Sequence, residues 1–308
     1  MKKLFLLCNL VILIFLVGCK ETLKTNNYED DLLPIAKMQD GYSLGLYEDG
    51  QIVSKKTFSI KEDTFNKEIV LGNQTSKKET FLLMVYDHGK QIEFTANDKE
   101  SSLYYKFEVP ANEFETIPIS LRDIESGFHS INYIIIRDPD KYMSSLEENL
   151  LYNQLYTLRI NLLKDVEHIP TQRPNLTSSS SPSSTPKING VFISDPNTSY
   201  TSINNIKAQE FEYKLFYGNR SDIQYDFYLV SLLNWEQVNI TEHELYLYDQ
   251  LEEDEERYLE QRFDHELIND QNYYIYLMLN DPFAPLDDSH PYAKSTPHGS
   301  NRVIIERP

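Results

Sequence analysis

Short apolar runs separated by turn residues set the pattern of this chain. In the first half, Gln51 to Ile60, Thr80 to Tyr86, Gln91 to Thr95, Leu103 to Val109, Glu115 to Leu121, Ser130 to Arg137 and Tyr156 to Leu163 are rich in Val, Ile, Phe, Tyr and Thr. Such residues pack well on a pleated surface, and alternation with a period of two marks a strand with one buried face. His88-Gly89, Asn97-Asp98, Pro110-Ala111-Asn112 and Ser126-Gly127 supply turn chemistry between the runs. About seven strands in roughly 120 residues predict an all-β, two-sheet sandwich. One stretch admits two readings. Leu247 to Ile268 can place Leu251, Tyr258, Leu259, Phe263 and Leu267 on one helical face, and its acidic Glu252 to Glu256 suits a first helical turn.

Comparing one half with the other favours strands there. Tyr133 to Pro139 matches Tyr276 to Pro282, and in each copy an Arg, Arg159 or Arg302, follows the Pro by twenty residues. Gly72-Asn73 precedes Phe81 by the same nine residues by which Gly218-Asn219 precedes Phe227. Shared order and spacing indicate a tandem duplication. The first-half counterpart of the ambiguous stretch, Tyr105 to Leu121, contains Pro110 and Pro118 and alternates through Ile117, Ile119 and Leu121, as a strand does. Each copy also places a long connection after its Asp-Pro, and for the first, Lys141 to Asn153, a short helix is compatible with the pattern. Asp138 ends one run and Arg159 begins the next, with Asp281 and Arg302 repeating the spacing, so each Asp is expected beside the Arg of its own copy.

Composition divides the chain. Pro170, Pro174, Pro182 and Pro186 surround the serines Ser178 to Ser181, a makeup that builds no core and predicts an extended linker over 170–187. Residues 40–169 and 188–308 are then two tandem β-sandwich domains, expected to fold independently, and 19–39 is a polar tether. The pattern resembles the immunoglobulin-like β-sandwich modules of Gram-positive surface lipoproteins, without the Cys pair and Trp arrangement of antibody domains.

The N-terminal residues point to the same compartment. Lys2 and Lys3 precede an apolar run, Leu4 to Val17, too short to span a bilayer as a helix and suited to a signal peptide over 1–18. Leu16-Val17-Gly18-Cys19 resembles the bacterial lipobox. That resemblance implies lipidation of Cys19, cleavage before it, and anchoring at the extracytoplasmic face of the cell membrane. More than one acyl chain on one residue gives a stable anchor, because each buried methylene contributes roughly 0.8 kcal/mol.

Charge and cysteines narrow the function classes. The formal charge is −19, and loss of Lys2 and Lys3 takes it to −21, a surface that repels nucleic acid. Of two cysteines, Cys8 lies in the signal peptide and Cys19 is acylated, so no disulfide framework is expected. None of the seven histidines forms a His-Glu-x-x-His pattern, and neither a nucleophile elbow nor a phosphate loop occurs. The acidic run Glu252 to Glu256 lacks the spacing that wraps a loop around calcium. No metal or cofactor is expected. The first long connection carries Tyr142, Met143, Leu146, Leu150, Leu151 and Tyr152, too apolar for a solvated loop: it either folds back on its own sandwich or offers a surface to a partner. Tyr142, Met143 and Leu146, with the lone Trp235 of the second copy, are the candidate binding residues. The sequence thus predicts a non-enzymatic, membrane-anchored binding or structural module with an envelope protein or the wall as partner. The alternative is an exported enzyme with a carboxylate and histidine site at the domain interface.

Overall fold

A computed structural model describes residues 41–143, 145, 147–149, 155–177, 181–183, 186–284, 286 and 297–308. The first half contains β1 (Tyr42–Glu48), β2 (Gln51–Ile52), β3 (Thr57–Ile60), β4 (Phe65–Asn73), β5 (Glu79–Asp87), β6 (Lys90–Gln91), β7 (Thr95–Ala96), β8 (Tyr104–Val109), β9 (Glu113–Leu121), β10 (Gly127–Arg137) and β11 (Leu155–Lys164). The linker adds β12 (Ser181–Ser183). The second half contains β13 (Gly190–Ser194), β14 (Asn205–Lys207), β15 (Phe211–Asn219), β16 (Tyr225–Leu233), β17 (Glu236–Val238), β18 (Tyr246–Leu251), β19 (Glu255–Phe263), β20 (Gln271–Asn280), β21 (His298–Gly299) and β22 (Val303–Glu306). The ambiguous stretch is therefore two strands, β18 and β19, and the connection after Pro139 is helical over 147–149.

Each half is an immunoglobulin-like sandwich. In the first, a sheet ordered β2-β1-β4-β9-β7 faces one ordered β3-β11-β10-β5-β6, with β8 also on β5. In the second, β12-β19-β15-β13 faces β14-β22-β20-β16-β17, with β18 on β16 and β21 on β20. Pairing is antiparallel except for β3 on β11 and β14 on β22, which occupy equivalent places in the two copies. The duplication extends to single atoms. The Asn73 amide donates to the carbonyls of Lys77 (2.8 Å) and Val109 (3.0 Å), and its Oδ1 accepts from Thr75. Asn219 does the same with Ile223 (2.7 Å), Glu252 (3.0 Å) and Ser221.

The outer sheets follow the alternating pattern. In β9, Ile117, Ile119 and Leu121 are buried while Pro118 is exposed. The central strands β5, β10, β16 and β20 instead bury nearly every residue, so both of their faces are covered. Phe81, Leu83, Val85, Tyr133 and Ile135 fill the first core; Phe227, Leu229, Leu233, Tyr276 and Met278 fill the second. The opposite faces meet each other. Leu82, Met84, Tyr86, Ile134 and Ile136 of the first sandwich pack with Tyr228, Val230, Leu232, Trp235, Tyr248, Ile275, Leu277 and Leu279 of the second in one buried cluster.

This seam changes the expected organisation. Burial of each such side chain contributes about 1.5–3 kcal/mol, so baring thirteen of them exceeds the roughly 5–15 kcal/mol that holds an ordinary domain together. Many contacts cross between the halves, where the linker composition predicted few. The intact chain should accordingly unfold in one cooperative transition. Fragments 40–169 and 188–308 should each melt well below it or self-associate, and mixing them should recover the higher transition. Two transitions at the fragments' own temperatures would show the halves to be independent.

Candidate functional site

The candidate residues predicted from sequence occupy different environments. Leu146 and Cys19 lie outside the described residues. Tyr142 is half-exposed, and its hydroxyl accepts from the Asn205 amide at 2.6 Å. Met143 is fully buried. Trp235 is 2 % exposed, stacked on Tyr273 at 6.0 Å with the Arg302 guanidinium 5.0 Å from its ring. Its binding is to the chain itself, within the seam. Among its described residues, the first long connection reaches the second sandwich. Asn149, buried, donates to the Arg302 carbonyl (3.0 Å) and accepts from the Arg302 amide (2.7 Å), so it docks on the second sandwich.

The seam carries an approximate two-fold relation. The Gln91 amide N–H donates to Gln237 Oε1 at 2.7 Å, and the Gln237 amide N–H donates to Gln91 Oε1 at 2.7 Å. Gln91 Nε2 then reaches the carbonyls of Trp235 (2.9 Å) and Leu103 (3.1 Å), while Gln237 Nε2 reaches those of Gly89 (2.8 Å) and Leu245 (3.1 Å). The arginines obey the same relation, and this corrects the expected pairing. Arg302 donates to the carbonyls of Asp138 (2.8 Å), Pro139 (3.2 Å) and Lys141 (3.3 Å), and Arg159 donates to those of Asp281 and Ala284. Each Arg thus serves the Asp-Pro turn of the other copy. The reason is geometric: the seam lays the middle of β11 and the residue before β22 against the opposite turn, whose carbonyls need donors. Burial pulls both guanidinium pKa values down to about 10, opposed by Asp281 at Arg159 and by Tyr273, Asp138 and Asp140 at Arg302. Both stay charged at neutral pH.

Titratable groups do gather where the linker crosses the seam. Arg173 pairs with Asp226, and lies 3.6 Å from Asp281. Asp226 also accepts from the Tyr248 hydroxyl (2.9 Å) and the Gln250 amide (2.6 Å), and Asp281 accepts from the Phe283 amide (2.8 Å). Burial raises the Asp281 carboxyl pKa against the pull of that amide and of the two arginines. Next to them His88, Phe128, Phe283 and the linker residues Pro170 to Pro174 line a shallow depression of about 400 Å³. The carboxylate oxygens are committed to bonds that pin the linker. His129 bonds Asp87 Oδ2 at 2.6 Å and the Glu125 carbonyl at 2.8 Å, while Asp87 Oδ1 has no hydrogen-bond partner among the described residues. Among the described residues no group of three or more His, Cys, Asp or Glu is placed to hold a metal.

A larger concavity lies elsewhere, on the second sandwich. A cleft of about 1080 Å³ runs between Val238–Glu242 and the end of β19, lined by Tyr213, Tyr258, Glu260, Gln261, Arg262, Asp264, His265 and Tyr274. The hydroxyl of Tyr213 bonds those of Tyr274 (2.9 Å) and Tyr276 (2.5 Å), so buried tyrosines floor it. Burial keeps His265 neutral by lowering its pKa, and Arg262 is paired with Glu210. Comparison with the first sandwich explains the opening. There Phe94 bridges Ser102, eight residues on, and the loop between them forms β7, which pairs with β9 at Ser120 and Ile119. Here Ile240 bonds Glu244, four residues on, and among the described residues β19 has no partner at the equivalent positions. The signal in the sequence was a four-residue shortening of the second copy after Gln237.

No family model matches this sequence, and comparison with curated proteins finds no match. Solved structures resemble its fold. Red sea bream transglutaminase is 7% identical over 88% of this chain and 32% of that one (TM-score 0.25), so this chain spans about a third of that protein's length. A CARDB domain from Pyrococcus furiosus is 12% identical over 40% of this chain and 88% of that one (TM-score 0.26). A PapD-like domain of human CEP192 is 12% identical over 41% and 87% respectively (TM-score 0.24).

Two outcomes test this geometry. Gln91→Ala and Gln237→Ala should each cost about 1–3 kcal/mol in chemical denaturation, because each leaves buried partners unsatisfied. The double variant should cost clearly less than the sum of the singles; strict additivity would contradict the reciprocal pair. The hydrogen bond that the His129 ring donates to the Asp87 carboxylate raises the His129 pKa. A raised folded-state pKa means the pair stabilises fully below the ordinary value of 6.5 and loses that contribution as pH climbs through the raised value. The stability gap between the parent and His129→Gln should therefore shrink as pH rises past 6.5. A gap constant across that range would remove the ion pair from the account.

Proposed function

We propose that the protein is a lipoprotein, anchored through acylated Cys19 at the extracytoplasmic face of the cell membrane, and that its two sandwiches act as one rigid, non-enzymatic binding unit. What supports the anchor is the Leu16-Val17-Gly18-Cys19 sequence behind a short apolar run and ahead of a polar stretch. What supports a binding role is one observation: the second sandwich leaves open a cleft and strand edge that the first closes with its own strand. The titratable groups at the seam support the non-enzymatic reading, since Asp226 and Asp281 are engaged with Arg173, Tyr248, Gln250 and Phe283 rather than presented to a free pocket. The partner is a component of the envelope, reached on a tether over 19–39.

Cys19→Ala should shift the protein out of the membrane fraction, or leave it as unprocessed precursor. Tight membrane association of a processed Cys19→Ala chain would show that another segment holds it.

A further inference from the structure

We propose that the cleft of the second sandwich receives an extended, basic segment of a partner protein, which adds to β19 as an antiparallel strand in the place that β7 fills in the first sandwich. This rests on the reading of the second sandwich as the presenting unit, and names its partner.

The sister sandwich supplies the register. Thr95 and Ala96 lie opposite Ser120 and Ile119, and the Asn97 amide donates to the Pro118 carbonyl at 3.0 Å. In an antiparallel ladder the N–H and C=O of one residue point to the same side. Pro118 therefore turns its carbonyl toward β7 rather than toward β4, and its counterpart Glu260, which lies opposite Lys214 as Pro118 lies opposite Glu68, turns both backbone groups toward the cleft. Arg262, two residues on and the counterpart of Ser120, does likewise. Among the described residues strand β12 covers β19 at Glu256, Arg257 and Tyr258, and the open edge begins beyond them.

Charge selects the occupant. Glu242, Glu260 and Asp264 line the cleft, Arg262 is already paired with Glu210, and His265 is held neutral. An incoming strand with lysines or arginines at its outward positions is complementary to this lining, and an acidic one is repelled. The main-chain ladder provides affinity independent of sequence, and the side-chain positions provide the selection. Charged residues also protect a bare strand edge from aggregation, and that purely protective role is the outcome the experiment must separate from docking.

The test uses the full chain purified in detergent and a synthetic peptide carrying residues 95–97 between paired lysines, with a glutamate-flanked peptide as comparison. The lysine peptide should bind in preference to the glutamate one and protect the amides of Glu260 and Arg262 from hydrogen exchange. Glu260→Pro, a change the first sandwich tolerates naturally at Pro118, removes one ladder donor together with one carboxylate and should weaken binding about fivefold or more. Replacing residues 240–244 by residues 94–102, which rebuilds β7, should abolish binding while the chain still unfolds cooperatively. No binding of the lysine peptide, equal binding of both peptides, or binding that survives the graft would overturn the proposal. None of these outcomes depends on where the protein is anchored, which Cys19→Ala tests separately.

Discussion

A sheet that is apolar on both faces must be covered twice, once by its own sandwich and once by something else. In this protein the second cover is the equivalent sheet of the other copy. Because side chains alternate across a strand, Phe81, Leu83 and Val85 point into one core while Leu82, Met84 and Tyr86 point into the seam, and Leu229 and Val230 divide in the same way. Every other contact between the halves depends on that meeting of faces. It brings Gln91 within reach of Gln237 and sets each arginine against the other copy's turn.

The arginines show how burial and specificity combine. Arg302 is fully buried, and its Nε and Nη2 lack hydrogen-bond partners among the described residues, although the rings of Trp235 and Tyr273 lie against its guanidinium. A buried cation is costly unless its donors find acceptors. Three carbonyls of the Asp138 turn meet only part of that demand, so the arginine contributes less to stability than to fixing which surfaces meet. Only one alignment of the sheets gives both arginines their carbonyls. Arg173 and the Thr177 bonds to Tyr248 then lay the linker along the joined body, so the Pro- and Ser-rich composition describes its conformation but not its freedom.

Much of the fold was legible in the residues. Pro118 with alternating Ile117 and Ile119 announced β9, and the copy relation correctly carried that assignment to β19. Gly72-Asn73 and Gly218-Asn219 marked the same capped strand end twice. The seam was half legible: unbroken apolar runs such as Ile134 to Ile136 indicate strands covered on both faces, but periodicity does not name the cover. Asp138 does stand at the loop neck, directly after β10, but Arg159 lies mid-strand in β11 opposite Asn132 rather than at its start, and their pairing was read within one copy because sequence spacing contains no information on exchange between copies. The cleft was written in a deletion, which is visible only after the two copies are aligned. Duplication thus left two uses for one fold, a closed sandwich that completes its edge with β7 and an open one that does not.

The central claim is that the two sandwiches form one rigid body rather than beads on a Pro- and Ser-rich string. The most direct measurement places spin labels at Ser59→Cys and Glu212→Cys, exposed strand positions on opposite halves, and records their distance distribution by pulsed electron resonance. A single narrow distribution, unchanged when the linker serines Ser178 to Ser180 are replaced by glycine, is the result the seam predicts. A broad distribution that widens further with glycine would contradict it.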